Sequence, residues 1–532
     1  MDKKQLRSTI FQHLDGLVTA PIVSALNSKN ILNEFHLKNE CTLDELAQKF
    51  NANKGYLNVA LRTLASQGFI DYQVNNKTNC VTLSTNSSTP YFIDHAYLYD
   101  EVTAFLKYSI DFHPRNFDKQ PFEKLAVLFD SFYQNFGITF SENENELRIQ
   151  KQILKHIEGH LVGPTIVRLA MSGMFHKYFM ESSFKAEEFH NEPACFETIL
   201  DFLTHLDWFT KKNTNYQFTE TGLFFAKRAA SYGVTVSYLP MFSKMEDLLF
   251  GDAERIRQLN EGEDEIHVDR AMNVWGSGGA HATYFKVIDD FIIEIFNQPL
   301  DSQPKGILDM GCGNGAFLQH LYETIERYTL RGKHLDDYPL FLVGADYNQA
   351  ALKITRANLI KNDIWAKVIW GDIGDPNRLA TDLKENYGIA LDDLLNMRTF
   401  LDHNRIWFEP KNVNPERVST STGAFAHRGV YLSNNLVEEN LLEHLQKWQP
   451  YIKKFGLMVV ELHTIDPAIT SKHLGETPAT AYDATHGFSD QYIVEVDVFH
   501  KVCKEAGLQP DEKLFKKFPN SELATVSINL LK

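Results

Sequence analysis

A chain of 532 residues is too long for a single hydrophobic core, so about two to four domains are expected. Its 43% hydrophobic and 23% charged residues are those of an ordinary globular protein, which excludes a fibrous, disordered or low-complexity chain. A formal net charge of -16 repels polyanions unless a local basic patch overrides it, so nucleic acid is not expected as a partner.

The N-terminus, MDKKQLRSTIFQHLDGLV, has charges and a histidine where a signal peptide needs an apolar core. No run approaches the ~18 apolar residues of a membrane helix, so neither secretion nor a membrane span is expected. Cys41, Cys80, Cys195, Cys312 and Cys503 are scattered and never spaced as CxxC, which fits a reducing cytoplasm rather than a disulfide framework or a zinc ribbon.

The first half contains a repeat. HLDGLVTAPIVSAL from His13 and HIEGHLVGPTIVRL from His156 share His, an acid, Gly and Pro in register, and both histidines read as packing or capping positions. LNVALRTLASQGFIDY from Leu57 corresponds in the same way to FETILDFLTHLDWFTK from Phe196. Two related modules are expected, over 1–100 and 146–262, with a helical connector over 101–145.

In the first module Thr42 and Glu45 form a capping-box pattern for a short helix. A turn, a second helix ending near Gly68 and the hairpin FIDYQVNNKTNCVTLS then complete a winged-helix order. A DNA reader concentrates Lys and Arg on its recognition helix, yet GYLNVALRTLASQG offers Arg62 alone and CFETILDFLTHLDW offers none. The modules are therefore expected to be a scaffold that pairs two copies of the chain.

Residues 263–305 read as a connecting helix or lid. GSGGAH, ending at His281, has two readings, one in which His281 touches a cofactor carboxylate or the substrate and one in which the stretch is simply a loop turning into a helix, and KVIDDFIIEIFNQ is amphipathic. GILDMGCGNGAFLQHL follows as a buried strand, a turn at Gly311, Gly313 and Gly315, and a helix. The acid before that turn, Asp309, repels a dinucleotide pyrophosphate but attracts the ammonium of S-adenosylmethionine (SAM). FLVGADYN then places Asp346 toward ribose hydroxyls, and AKVIWGDIGDP places Asp372 near an adenine amino group. With LDDLLNMRTFLDH, GLMVVELHTIDP, VFHKVCKEAGL and LATVSINLL, residues 306–532 are expected to form an α/β Rossmann-like class I methyltransferase domain with a mixed seven-stranded sheet. Tandem, mainly helical winged-helix-like modules precede it.

This segment resembles class I SAM-dependent methyltransferases, and a winged-helix module ahead of it is similar to small-molecule O-methyltransferases that dimerise through it. GSGGAH, FLDHNR (Phe400 to Arg405), STGAFAHRG (Ser421 to Gly429) and DATHGFSDQY (Asp483 to Tyr492) resemble the methyltransferases of polyketide synthase loading regions. That resemblance implies methylation of the α-carbon of a malonyl unit on an acyl carrier protein, assisted by bound iron or a similar metal.

Acceptor substrates in this fold lie over the ends of the fourth and fifth strands. There Asp402, His403 and His463 are expected to converge, with His486 and Gln491 added by the following loop. His403 and His463 are the candidate catalytic residues; Asp402, His463, His486 and Gln491 are candidate ligands for Fe or Mn. A metal would stabilise an enolate, whereas a hydroxyl acceptor needs only a histidine base, and a purely structural wall is the third reading. PKNVNPERVSTSTGAFAHRG reads as a lid or substrate channel, in which Arg428, with Arg405 just before it, is placed to meet a carboxylate or phosphate.

The expected function is metal-assisted C-methylation of a small acyl or keto acid, free or bound to a carrier protein. The alternatives are O-methylation of a hydroxylated metabolite, a winged-helix DNA-binding regulator that senses SAM, and a scaffold that binds SAM without turnover.

Overall fold

The residues described in the computed structural model are 2–108, 119–257 and 265–532; the side chains of 119 and 279–283 are not among them. The chain forms two compact units, one comprising Met1–Ala280, Ala426–Tyr431 and Asp466–Ser489, the other His281–Phe425, Leu432–Ile465 and Asp490–Lys532. Two segments of the C-terminal half thus belong to the N-terminal unit.

In the first unit Thr42 Oγ1 accepts from the Glu45 amide (3.2 Å) and Glu45 Oε2 accepts from the Thr42 amide (2.8 Å), closing the capping box of the Leu43–Phe50 helix. The Lys54–Ser66 helix follows, then a sheet with Cys80–Ser84 between Glu40–Thr42 and Asp71–Asn75. The second module repeats the order, with the Pro193–His205 helix ahead of the Phe209–Lys212 and Asn215–Phe218 hairpin. Lys54–Ser66 is buried from Gly55 to Ser66, and the Gly55 amide donates to Gly429 O (2.8 Å). Arg62 on the same helix ion-pairs with Asp483. Segments from the C-terminal half therefore pack against this helix.

The two repeated motifs lie on the Lys3–Ser28 and Glu144–Met171 helices, which pack together through their glycines. A Cβ on Gly16 would fall 2.4 Å from His156 Cα, and one on Gly159 would fall 2.5 Å from His13 O, so only glycine admits the crossing. His13 bridges the Tyr232 hydroxyl (2.8 Å) and Glu158 (3.0 Å), while His156 Nδ1 meets the Tyr99 hydroxyl (2.8 Å). Burial holds His156 neutral, its pKa lowered to about 3. Both are packing residues.

GSGGAH is not a loop. It lies inside the Arg270–Phe296 helix, where a Cβ on Gly276 would meet Gly233 at 2.7 Å, so this glycine serves close helix packing; the His281 side chain lies outside the described residues.

The second unit is built on a seven-stranded sheet of β1 (Gly306–Met310), β2 (Phe341–Asp346), β3 (Lys367–Trp370), β4 (Leu394–Thr399), β5 (Leu457–Leu462), β6 (Lys516–Phe518) and β7 (Val526–Leu531). The order is 6-7-5-4-1-2-3, parallel from β5 to β3, with β7 antiparallel to both β5 and β6. β1, β5 and β7 are buried at every residue, as near-continuous apolar strands covered on both faces should be. The chain leaves β1 toward β2 on one side while β4 lies on the other, so a crevice opens between the carboxyl ends of β1 and β4.

Candidate active site

At the end of β1, Gly311, Gly313 and Gly315 all take left-handed φ values of 81°, 54° and 78°. A Cβ on Gly311 would touch Leu401 (3.0 Å) and one on Gly315 Thr355 (2.9 Å), whereas nothing lies within 4 Å of that position on Gly313. The middle of the turn therefore has room for a ligand. Asp309 is buried and neither carboxyl oxygen has a hydrogen-bond partner. Burial, aided by the charge of Asp346, raises its pKa to about 7.

Asp346 Oδ2 accepts from the Gly313 amide (3.0 Å) and Oδ1 from the Asn348 amide (2.8 Å), tying the turn to the end of β2. Asp372 Oδ1 accepts from the Gly374 amide (2.7 Å) within its own loop. Two aromatic residues join them: Tyr347, 58% exposed, lies 5.6 Å from Trp370 between ring centres, and the Arg378 guanidinium sits 4.2 Å over Trp370. An unpaired buried carboxylate needs a cationic donor, and the exposed Tyr347 and half-buried Trp370 rings at the ends of β2 and β3 offer apolar surface. These residues fit the ammonium and adenine ends of SAM.

β4 ends at Thr399, and Phe400, with a left-handed φ of 54°, carries the chain into the short Asp402–Asn404 turn. His403 is buried there, with Nδ1 bonded to Glu461 Oε1 of β5. Glu461 Oε1 also accepts from the Leu462 amide (2.7 Å), while its Oε2 is buried without a partner. A carboxylate bonded to Nδ1 fixes the orientation of the imidazole at the end of β4.

Asp402 has a different role. Oδ1 accepts from Arg398 and lies 2.9 Å from His444 Nε2. Burial opposes its ionisation, but Arg398 and His444 prevail and hold its carboxyl well below the usual carboxylate range. Arg405 is also internal, donating to Asn440 (2.6 Å) and Asp402 O (2.9 Å), with its pKa lowered to about 10 by burial.

Two of the four predicted metal ligands, Asp402 and His463, are bonded to other groups of the chain. His463 is fully buried in the core, with Nδ1 3.0 Å from Val494 O and Nε2 2.6 Å from the Ser527 hydroxyl, so neither nitrogen is left for a metal or a proton transfer. Burial lowers its pKa to about 3. Asp402 is engaged by Arg398, and His486 lies on Ala479–Phe488 in the other unit, its Nδ1 2.6 Å from Tyr482 O. Gln491 is half-buried just after that segment. Among the described residues, no group of three or more His, Cys, Asp or Glu side chains is disposed to hold a metal ion.

The predicted lid is anchored. Arg417 bridges Glu438 (3.0 Å), Glu439 (2.6 Å) and Glu505 (2.6 Å), fastening the loop to the Asn434–Ile452 helix. Arg428 ion-pairs with Glu254 at 3.5 Å.

Sequence reasoning passed over Glu461, Arg398, His444, Tyr347 and Trp370. The signal for the first two was available, since a charged residue inside an apolar strand such as LMVVEL or LLNMRT is costly to bury without a partner.

Three family models match the chain: an AprA MT2-like domain over residues 265–529, an AprA winged helix domain over 158–252 and an AprA N-terminal domain over 6–72. No curated protein sequence matches it. Similar solved structures include an O-methyltransferase family protein from Burkholderia thailandensis, at 10% identity and TM-score 0.39 over 69% of this chain and 92% of that one. The citrinin polyketide synthase CMeT domain aligns at 13% identity and TM-score 0.36, over 77% and 95%. An O-methyltransferase family 2 protein from Planctomyces limnophilus DSM 3776, in complex with apigenin, aligns at 10% identity and TM-score 0.37, over 100% and 96%. Likenesses this distant assign neither acceptor nor reaction.

Proposed function

We propose that this chain, a class I SAM-dependent methyltransferase with an AprA MT2-like domain, methylates the α-carbon of a small acyl or keto acid, malonyl-type and thioester-linked, with His403 as general base. The observation that carries this reading is the buried His403–Glu461 pair at the ends of β4 and β5, in the strand order that puts β4 beside the glycine turn of β1. Asp309 holds the ammonium of SAM and the Tyr347 and Trp370 rings face its adenine. SAM supplies an electrophilic methyl group on a sulfonium, which leaves as a neutral thioether.

His403 Nε2 takes the α-proton, the acceptor carbon becomes an enolate nucleophile, and Glu461 stabilises the imidazolium that results. The base and the Asp309 turn are held on adjacent strands of a packed sheet, which is what orientation for in-line displacement requires. No step is routed through a metal, because Asp402 and His463 are bonded elsewhere. The carbon acceptor is supported by the likeness of the FLDHNR, STGAFAHRG and DATHGFSDQY stretches to polyketide C-methyltransferases, and a carrier protein is the proposed donor of the thioester. The winged-helix modules are proposed to pair two copies of the chain.

A hydroxyl acceptor is the second reading. It is favoured by the internal bonding of Arg405, which keeps that cation from an enolate oxygen.

The test uses the purified chain with methyl-13C SAM, offered a malonyl thioester and a hydroxylated aromatic acid. Label on carbon, lost in His403→Gln, supports the first reading; label on oxygen replaces it with the second. Carbon labelling undiminished in His403→Gln sinks the proposed base. Among the described residues no helix is long and apolar enough to cross a membrane.

A further inference from the structure

The turn that carries His403 is entered through Phe400, whose φ of 54° is one that a bulky side chain rarely adopts, with its amide donating to Val460 O (2.7 Å). Backbone strain of this kind persists where the surroundings over-determine it. Here the surroundings converge on Asp402, the residue before His403. Its Oδ1 accepts from Arg398 Nη1 on β4 and lies 2.9 Å from Nε2 of His444 on the Asn434–Ile452 helix. Its main-chain O accepts from Arg405 Nη1 (2.9 Å), and His403 O accepts from the Tyr492 amide (2.8 Å). A carboxylate offers only acceptors, so His444 donates from Nε2.

Asp402, Arg398 and His444 are all buried. The Arg398 guanidinium is stacked 4.0 Å over the Trp448 ring, which is fixed in turn by Nε1 donating to Ile373 O (2.7 Å). Yet Asp402 Oδ2 and Arg398 Nε and Nη2 are buried with no hydrogen-bond partner among the described residues. A buried ion pair offsets the desolvation of its charges only when the remaining protons and lone pairs are bonded, and apolar side chains of similar volume would pack at least as well. Stability alone therefore does not account for this network. What it does achieve is geometric. Glu461 fixes the rotation of the His403 ring, whereas the clamp on Asp402 fixes where the backbone of the turn stands.

We infer that His444 and Arg398 are positioning residues for His403: by clamping the Asp402 carboxylate they hold the turn at the end of β4 and so keep the imidazole at its place beside Glu461. This inference rests on the proposed role of His403 as the base.

The experiment is a double-mutant cycle on the full chain, read by methyl transfer from SAM to a malonyl thioester, with His444→Phe and His403→Gln made singly and together. His444→Phe removes the donor to Asp402 and should lower kcat about 10- to 100-fold with KM and SAM affinity little changed, the loss expected when a base is displaced by about 1 Å. His444→Gln, whose side-chain amide can donate from near the position of Nε2, should recover most of that loss. In the His403→Gln background His444→Phe should lower kcat by less than about threefold, because a residue acting through His403 has nothing left to position. Asp402→Asn, nearly isosteric, should reproduce the fall in kcat and keeps the inference testable if His444→Phe misfolds. Parental kcat in His444→Phe or Asp402→Asn, no recovery in His444→Gln, or losses that multiply in the double variant would overturn the inference. Undiminished turnover in His403→Gln alone is a distinct result, which removes the base itself and the positioning role along with it.

Discussion

Replacing Asp309 by Asn should separate the two costs that its carboxylate carries. In the folded chain the group has a pKa near 7 against an ordinary 3.8, a difference worth about 4 kcal/mol of disfavoured ionisation. A folded pKa above the unfolded one gives stability that is complete below pH 3.8 and declines as pH rises toward 7. Asp309→Asn should therefore raise the melting temperature of the SAM-free protein at neutral pH and leave it little changed in acid. Binding should move the other way. The carboxylate must be ionised to hold an ammonium, so SAM affinity should rise about 25-fold between about pH 5.5 and about pH 7.5 for a pKa near 7. Over that span the ligand's own amine remains largely protonated. Loss of a charge-assisted hydrogen bond worth about 1.5–3 kcal/mol should weaken SAM about 10- to 100-fold at the upper pH and flatten the profile. Calorimetric titration at a series of pH values, with thermal unfolding of both proteins, measures all of this. An Asp309→Asn variant that binds SAM like the parent, with the same pH dependence, would refute the placement of the ammonium at Asp309.

His403→Gln is expected to reduce kcat by about 10²–10⁴-fold at unchanged SAM affinity. Glu461→Gln should retain more activity than that, because the imidazole remains but its imidazolium loses its counter-charge; parental turnover in both would remove the pair from the mechanism. Gly159→Ala places a methyl 2.5 Å from His13 O and should lower stability by about 1–3 kcal/mol, read from the urea midpoint; an unchanged midpoint would mean that the two helices do not cross there. His463→Phe removes one hydrogen bond each from the Ser527 hydroxyl and Val494 O, which keep Asn529 Nδ2 and the Thr464 amide as partners, and should cost about 0.5–1.5 kcal/mol for each. Its folded pKa near 3 lies below the ordinary 6.5, so the stability His463 confers is complete above pH 6.5 and is lost as pH falls toward 3. Metal content, read by plasma mass spectrometry, should not change with that substitution; metal lost along with His463 would restore it as a ligand.

What local sequence could reveal was what local physics controls. The glycine turn after an apolar run, the Thr42–Glu45 cap and the repeated His-acid-Gly motif each depend on a few adjacent residues, and the alternation of buried strands with amphipathic helices indicated the Rossmann-like sheet. GSGGAH misled because glycine serves both a flexible loop and a tight helix crossing, and only the neighbour, Gly233, distinguishes them. The candidate site was legible to the level of strand ends and no further. Asp402, His403 and His463 lie near one another along those strands, but their roles were set by partners distant in the chain: Arg398 and His444 for Asp402, Glu461 for His403, and Val494 and Ser527 for His463. Sequence by itself determined the fold and the place of the cofactor turn, because backbone geometry and hydrophobic period are properties of short segments. Tertiary structure alone decided which histidine bonds a strand carboxylate and which is locked in the core, because a side chain's hydrogen bonding belongs to the groups that packing brings against it.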